Sequence, residues 1–113
     1  MEFVDFDLAK KLKEKGFDWE TSNVYERNTI ACRYEDYHKP TISQVLKWLR
    51  EEKLILIGLS PMQEYGGDEI VEWCATVYKA DKQGGLSRKE EFYYQSYEQA
   101  ALEGIEYVLD NLI

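Results

Sequence analysis

Apolar residues recur along this chain with two periods, and each period predicts an element. Leu8, Ala9 and Leu12 fall three and four apart, the spacing of one helix face. Asp5 or Asp7 supplies an N-cap. Gly16 stands where a left-handed residue ends a helix, and Phe17 follows it, placed to touch Leu12. A second helix starts after Pro40. Thr41 and Gln44 form a capping box, and Ile42, Val45, Leu46 and Leu49 build one apolar stripe. Trp48 falls at the edge of that stripe; Lys47, Arg50, Glu51 and Glu52 take the wet side. A third helix opens with a second box, Ser96 to Gln99, and its broad apolar face runs from Ala101 and Leu102 through Ile105, Val108, Leu109 and Leu112.

Between the helices the period is two. In TIACRY, Ile30, Cys32 and Tyr34 alternate with Thr29, Ala31 and Arg33, which predicts a strand over 29–34. Val24–Arg27 pairs with it through a turn at Asn28, and Glu35, Asp36, Tyr37 and His38 then form a polar loop. LILIGL shows no alternation, as expected of a strand covered on both faces or central in a sheet, and Pro61 ends it. Gly66 and Gly67 mark a loop. The cleanest alternation spans Glu69–Lys79, with Val71, Trp73, Ala75 and Val77 on one side and Glu72, Cys74, Thr76 and Tyr78 on the other. The loop DKQGGLS leads into a last strand, KEEFYYQS, where Phe92 and Tyr94 share one face and Tyr93 takes the other. Short connections among the later strands predict an antiparallel sheet of three to five strands packed against about three helices. The fold class is α+β, in a single domain over residues 1–113.

Composition agrees with one ordinary core. At 113 residues, 44% hydrophobic and 14% aromatic, the chain matches a typical globular domain. No apolar run approaches the roughly 20 residues that span a bilayer. The first residues lack the order of a secretory signal, so a cytoplasmic location is expected, with no membrane. Charge is uneven: residues 1–60 hold 11 acids and 10 bases, whereas residues 61–113 hold 11 acids and 4 bases. Nearly all of the net −8 therefore lies in the second half, which argues against direct binding of nucleic acid.

Candidate chemistry is sparse. Cys32, Cys74 and His38 are the chain's only cysteines and histidine, too scattered for the four close ligands of a structural zinc site. Cys74 lies mid-strand opposite an apolar face, with nothing beside it to lower a thiol pKa. Glu35 or Asp36 beside His38 is better read as loop polarity than as an acid–base pair. The adjacent glycines at Gly66 and Gly67 lack a Walker lysine and precede two acids that would repel phosphate. No catalytic, cofactor-binding or metal-ligating residue is assigned, and no cofactor is expected. Two surface signals remain. Four of the nine tyrosines cluster at Tyr93, Tyr94, Tyr97 and Tyr107, a residue type enriched at protein interfaces. Gln99, Glu103, Glu106 and Asp110 recur along one side of the last helix, which carries no base.

The blocks PTISQVLKWLREEKLILIG and SYEQAALEGIEYVLDNLI together resemble a group of small uncharacterised proteins from gut Bacteroidetes, their phages and their mobile elements. The resemblance covers the C-terminal two-thirds of the chain. Its matched positions are caps and core, so it implies a shared packing and no activity. The resulting expectation is a small non-enzymatic accessory protein of phage or mobile-element type, acting by binding another protein or by self-association. Its partner surface would include Tyr93, Glu103, Glu106 and Asp110. The alternatives are an acidic mimic of nucleic acid that blocks a host DNA- or RNA-binding protein, and a small-ligand binder.

Overall fold

A computed structural model of the chain describes residues 3–19, 21, 24–28, 34–63 and 70–113. Helix α1, Phe6–Glu14, is capped as its sequence requires. The Asp5 carboxylate accepts the Leu8 amide at 2.8 Å. At the other end Gly16 takes φ +96°, and the amides of Gly16 and Phe17 reach back to the carbonyls of Lys13 and Leu12. That pair of bonds is the Schellman arrangement, and it turns Phe17 into the core at 3% exposure.

A two-stranded antiparallel hairpin follows, β1 at Val24–Asn28 and β2 at Tyr34–His38. Its second strand begins where the expected one ended. The segment read as a polar loop, Glu35 to His38, pairs with Arg27 to Val24. Tyrosines at both 34 and 37 favour an extended backbone strongly enough to outweigh the polar residues between them. Cys32 and the rest of 29–33, like Gly66 and Gly67, lie outside the described residues.

Helix α2, Ile42–Glu52, carries the predicted capping box: the Gln44 amide donates to the Thr41 hydroxyl and the Thr41 amide to the Gln44 side chain. Its buried face differs by one residue from expectation. Trp48 is buried with Ile42, Val45 and Leu49, whereas Leu46 is only partly covered. Phe17 meets the Trp48 ring edge-on at 5.3 Å, so the indole fills the space the α1 terminus leaves.

Strands β3 (Ile55–Gln63), β4 (Ile70–Ala80) and β5 (Leu86–Tyr94) form an antiparallel meander in that spatial order. Two expectations fail here. The LILIG strand is an edge strand rather than a central one, and Pro61 sits within it, opposite Trp73. Both corrections share a cause: an edge strand has a free side on which proline's missing N–H costs no ladder bond. Strand β5 also starts three residues before the expected Lys89. The Asp81 carboxylate accepts the amides of Gln83 and Gly85, closing a tight loop that pairs Leu86 with Ala80.

Helix α3, Tyr97–Asn111, crosses one face of this sheet. The Ser96 hydroxyl accepts the Gln99 amide at 3.0 Å. Gly104 lets the helix approach closely: a Cβ there would stand 3.2 Å from Ile57 Cγ2 and 3.7 Å from the Ala75 Cβ. The core lies between this face and the helices, where Leu12, Val45, Leu49, Ile55, Val77, Ile105 and Val108 are fully buried. The architecture is therefore α+β, a three-stranded antiparallel sheet with three helices and a separate hairpin.

Candidate interaction surface

The β4 alternation gives the sheet two unlike faces. Odd-numbered residues Ala75 and Val77 are fully buried beneath α3, joined by Ile55, Ile57, Leu59 and Phe92 from the neighbouring strands. Phe92 packs on Tyr107 of α3, and Trp73 on Tyr97, each edge-on. Even-numbered positions point the other way. Cross-strand register sets Leu56 and Arg88 beside Tyr78, Gly58 and Glu91 beside Thr76, and Ser60 and Tyr93 beside Cys74.

No described helix covers that second face. The molecule measures 58 × 37 × 22 Å. Among the described residues the exposed large apolar side chains are Leu54, Met62, Leu86 and Tyr93, between 41% and 56% accessible. Register places Met62, Leu86 and Tyr93 on the open face. The Ala80 amide donates to the Leu54 carbonyl at 2.8 Å, which sets Leu54 at the corner of the same face. Leu54, Met62 and Leu86, which a sequence reading passes over, thus gather on the side of Tyr93.

Leu54 also carries a conformational cost. It follows the last turn of α2 with φ +57°, the left-handed region where glycine is at ease and a leucine is strained by ~1–2 kcal/mol. The fold offsets that strain only in part, since the side chain is nearly half exposed.

Of the four residues expected to form one partner surface, the structure separates one from the other three. Tyr93 lies on the open sheet face, donating to Glu91 Oε2 at 3.3 Å. The neighbouring Cys74 side chain, and to a lesser degree the Glu91 carboxylate, hold its phenol above the usual tyrosine range. Glu103, Glu106 and Asp110 belong to α3, in the opposite layer. The acidic stripe is also partly spent within the molecule. Lys11 of α1 lies 3.2 Å from both Glu106 and Asp110, which raises the lysine's pKa. Lys15 Nζ further donates to the Ile113 carbonyl at 2.7 Å. A sequence reading missed this because the bases come from the other end of the chain.

Beside Glu103 a shallow groove of about 410 Å³ runs between α1 and the start of α3. Asp5, Asp7, Glu98, Glu103 and Glu106 line it, with Lys11 as the sole cation among its lining residues. Among the described residues no group of His, Cys, Asp and Glu side chains is arranged to hold a metal ion, and no helix is long and apolar enough to cross a membrane. Compared with known protein families, with curated proteins and with solved structures, the chain matches none.

Proposed function

We propose that this chain is a small non-enzymatic accessory protein that works by binding another protein or a second copy of itself. One observation carries the reading: its exposed large apolar side chains gather on an uncovered sheet face, among them a leucine in a strained backbone conformation. Single exposed apolar residues are ordinary on any protein surface, but a clustered set marks a contact site. The resemblance of its two blocks would place it among small proteins of phages or mobile elements, and a cytoplasmic location fits that reading.

The acidic mimic of nucleic acid finds less support. Such a surface needs unpaired carboxylates at regular spacing, whereas Glu106 and Asp110 both face Lys11. The small-ligand reading finds shallow surface depressions, the carboxylate-lined groove and a smaller one of about 170 Å³ beside Lys79 and Lys89.

The test is sedimentation of the purified chain together with a host-lysate pull-down at low and high salt. Self-association or capture that persists in high salt is expected, because apolar contacts are not screened. A strictly monomeric protein that retains no partner overturns the reading, and a partner lost in salt returns weight to the mimic.

A further inference from the structure

We propose that the uncovered face of the β3–β4–β5 sheet is a dimerisation surface, and that a second copy of this chain occupies it, sheet against sheet. The inference rests on the protein-binding reading above and narrows it to one face and one occupant.

Faces rather than edges are the available mode. Strand addition needs a flat, unbroken edge. Here β3 carries Pro61, and β5 carries a bulge: Val77 pairs with Glu90 and Tyr78 with Arg88, which leaves Lys89 unmatched. Both edges are therefore blunted by devices that discourage pairing.

The distribution of side chains on the face suits a copy of itself. Apolar side chains stand at both ends, Leu54 and Leu86 flanking Ala80 at one and Met62 with Tyr93 near the other, where the exposed Glu72 joins them; between the ends lie Gly58, Ser60 and Thr76 with the Arg88–Glu91 pair. A two-fold axis along the strands lays the Leu54 side of one end over the Leu86 side of the same end. An axis across the strands lays one apolar end over the other. The second arrangement also keeps Glu72 away from its own copy, which the first would lay against itself.

Charge selects the same arrangement. Each chain carries −8, so two copies repel unless their acids stay apart. The open face carries little charge: Arg88 lies 3.3 Å from Glu91 within it, and Glu72 adds one acid at its Met62 end. Asp5, Asp7, Glu98, Glu103 and Glu106 all lie around the groove in the helix layer. With sheets packed ~10 Å apart and helices outermost, the two acidic layers stand roughly 30 Å from each other. That is about three to four Debye lengths at physiological salt. A basic partner would be drawn to the helix layer instead. Area sets the strength: three strands of this length present roughly 400 Å² in projection. This is small beside the ~800 Å² per partner of a standard interface, so the expected dimer is reversible and weak.

Leu54 is the sharpest indicator. A strained, half-exposed leucine at a position where glycine would fold better points to a contact made outside the monomer.

Sedimentation velocity over a concentration series tests this on the full chain. The native protein should show a reversible monomer–dimer equilibrium. Leu86→Glu combined with Tyr93→Glu should weaken it by roughly tenfold or more, since like charges would meet in the interface. Leu54→Gly should weaken association while raising the melting temperature, which separates lost contact from lost folding. Glu98→Gln in the helix layer should leave the dimer unchanged. A native chain that stays monomeric overturns the proposal, as does a dimer that the folded double variant forms equally well. If the native chain is monomeric but captures a partner that the double variant releases, the occupant is another protein and the function proposed above still stands. Monomer with no capture overturns both.

Discussion

The two faces of one sheet divide this molecule. Beneath α3 and α2, Ala75 and Val77 of β4 are fully buried, and Gly104 admits the helix to within van der Waals contact of Ala75 and Ile57. On the reverse, strands of the same ladder hold Tyr78, Met62, Leu86 and Tyr93, with Cys74 buried among them and no described helix over them. Both faces are shaped by the same alternation, yet only one is used to fold. The difference teaches that β-periodicity reports which residues share a side, and that the elements left over to cover a side decide its fate. Among the described helices, α2 and α3 pack on this sheet, and they suffice for one face.

Truncation should separate the faces most strongly. Leu49→Ala removes a fully buried side chain and should cost about 2–5 kcal/mol, and Trp48→Ala about 3–5 kcal/mol, by urea denaturation. Leu86→Ala, at 56% exposure, should stay within about 0.5 kcal/mol of the native monomer. Similar losses at Leu49 and Leu86 would mean that the open face is covered after all.

The choice of Trp48 over Leu46 for that first experiment was not legible in the sequence. Helical periodicity gave the right stripe to within one position, because residues 45, 46, 48 and 49 all lie near the same side of a helix. The partner that decides between them is Phe17, whose ring reaches Trp48 only after the Schellman turn at Gly16 redirects the chain. Caps were legible because they are local: Asp5, Thr41, Ser96 and Gly16 each act within a few residues of themselves. Strand limits were less so. Pro61 and Leu86 were misplaced because edge position and hairpin register are properties of the assembled sheet. That error also concealed the surface, since Met62 and Leu86 join the open face only once β3 runs past Pro61 and β5 begins before Lys89. The α3 acids were legible as a stripe, but not their pairing with a lysine 95 residues earlier in the chain.

Packing on the covered face is sensitive to addition as well as to loss. Gly104→Val would drive a branched side chain into Ile57, already 3.2 Å from the position of a Cβ, and should cost about 1–3 kcal/mol. A neutral result would show that α3 rides higher on the sheet than its contacts with Ile57 and Ala75 indicate.

On the open side the next change should move stability the other way. Leu54→Gly relieves a left-handed leucine and gives up little buried area, so it should stabilise the monomer by about 1 kcal/mol. Thermal denaturation at a concentration where the chain is monomeric would read this as a rise of a few degrees. A destabilised variant would mean that the Leu54 side chain contributes to the monomer fold, and the strain would then no longer point to an outside partner.

The smallest effect concerns the clasp between α1 and α3. Hydrogen bonds to Asp110 and Glu106, the first the larger, hold the Lys11 ammonium above its usual pKa of 10.5. A raised lysine pKa means that the folded state binds the proton more tightly. The contribution is therefore complete at neutral pH and disappears as pH climbs past the unfolded value and through the folded one. Lys11→Gln should lower stability slightly at neutral pH and low salt, and the difference should shrink as salt screens these solvent-exposed groups. It should also vanish in strong alkali, where the native lysine is neutral too. Stability curves of the two proteins that stay parallel from neutral pH into alkali would show that Lys11 contributes through its aliphatic stem packed along α3, not through its charge. In that case Glu106 and Asp110 would be free to face a partner, and the helix layer would regain the role that the open sheet face now holds.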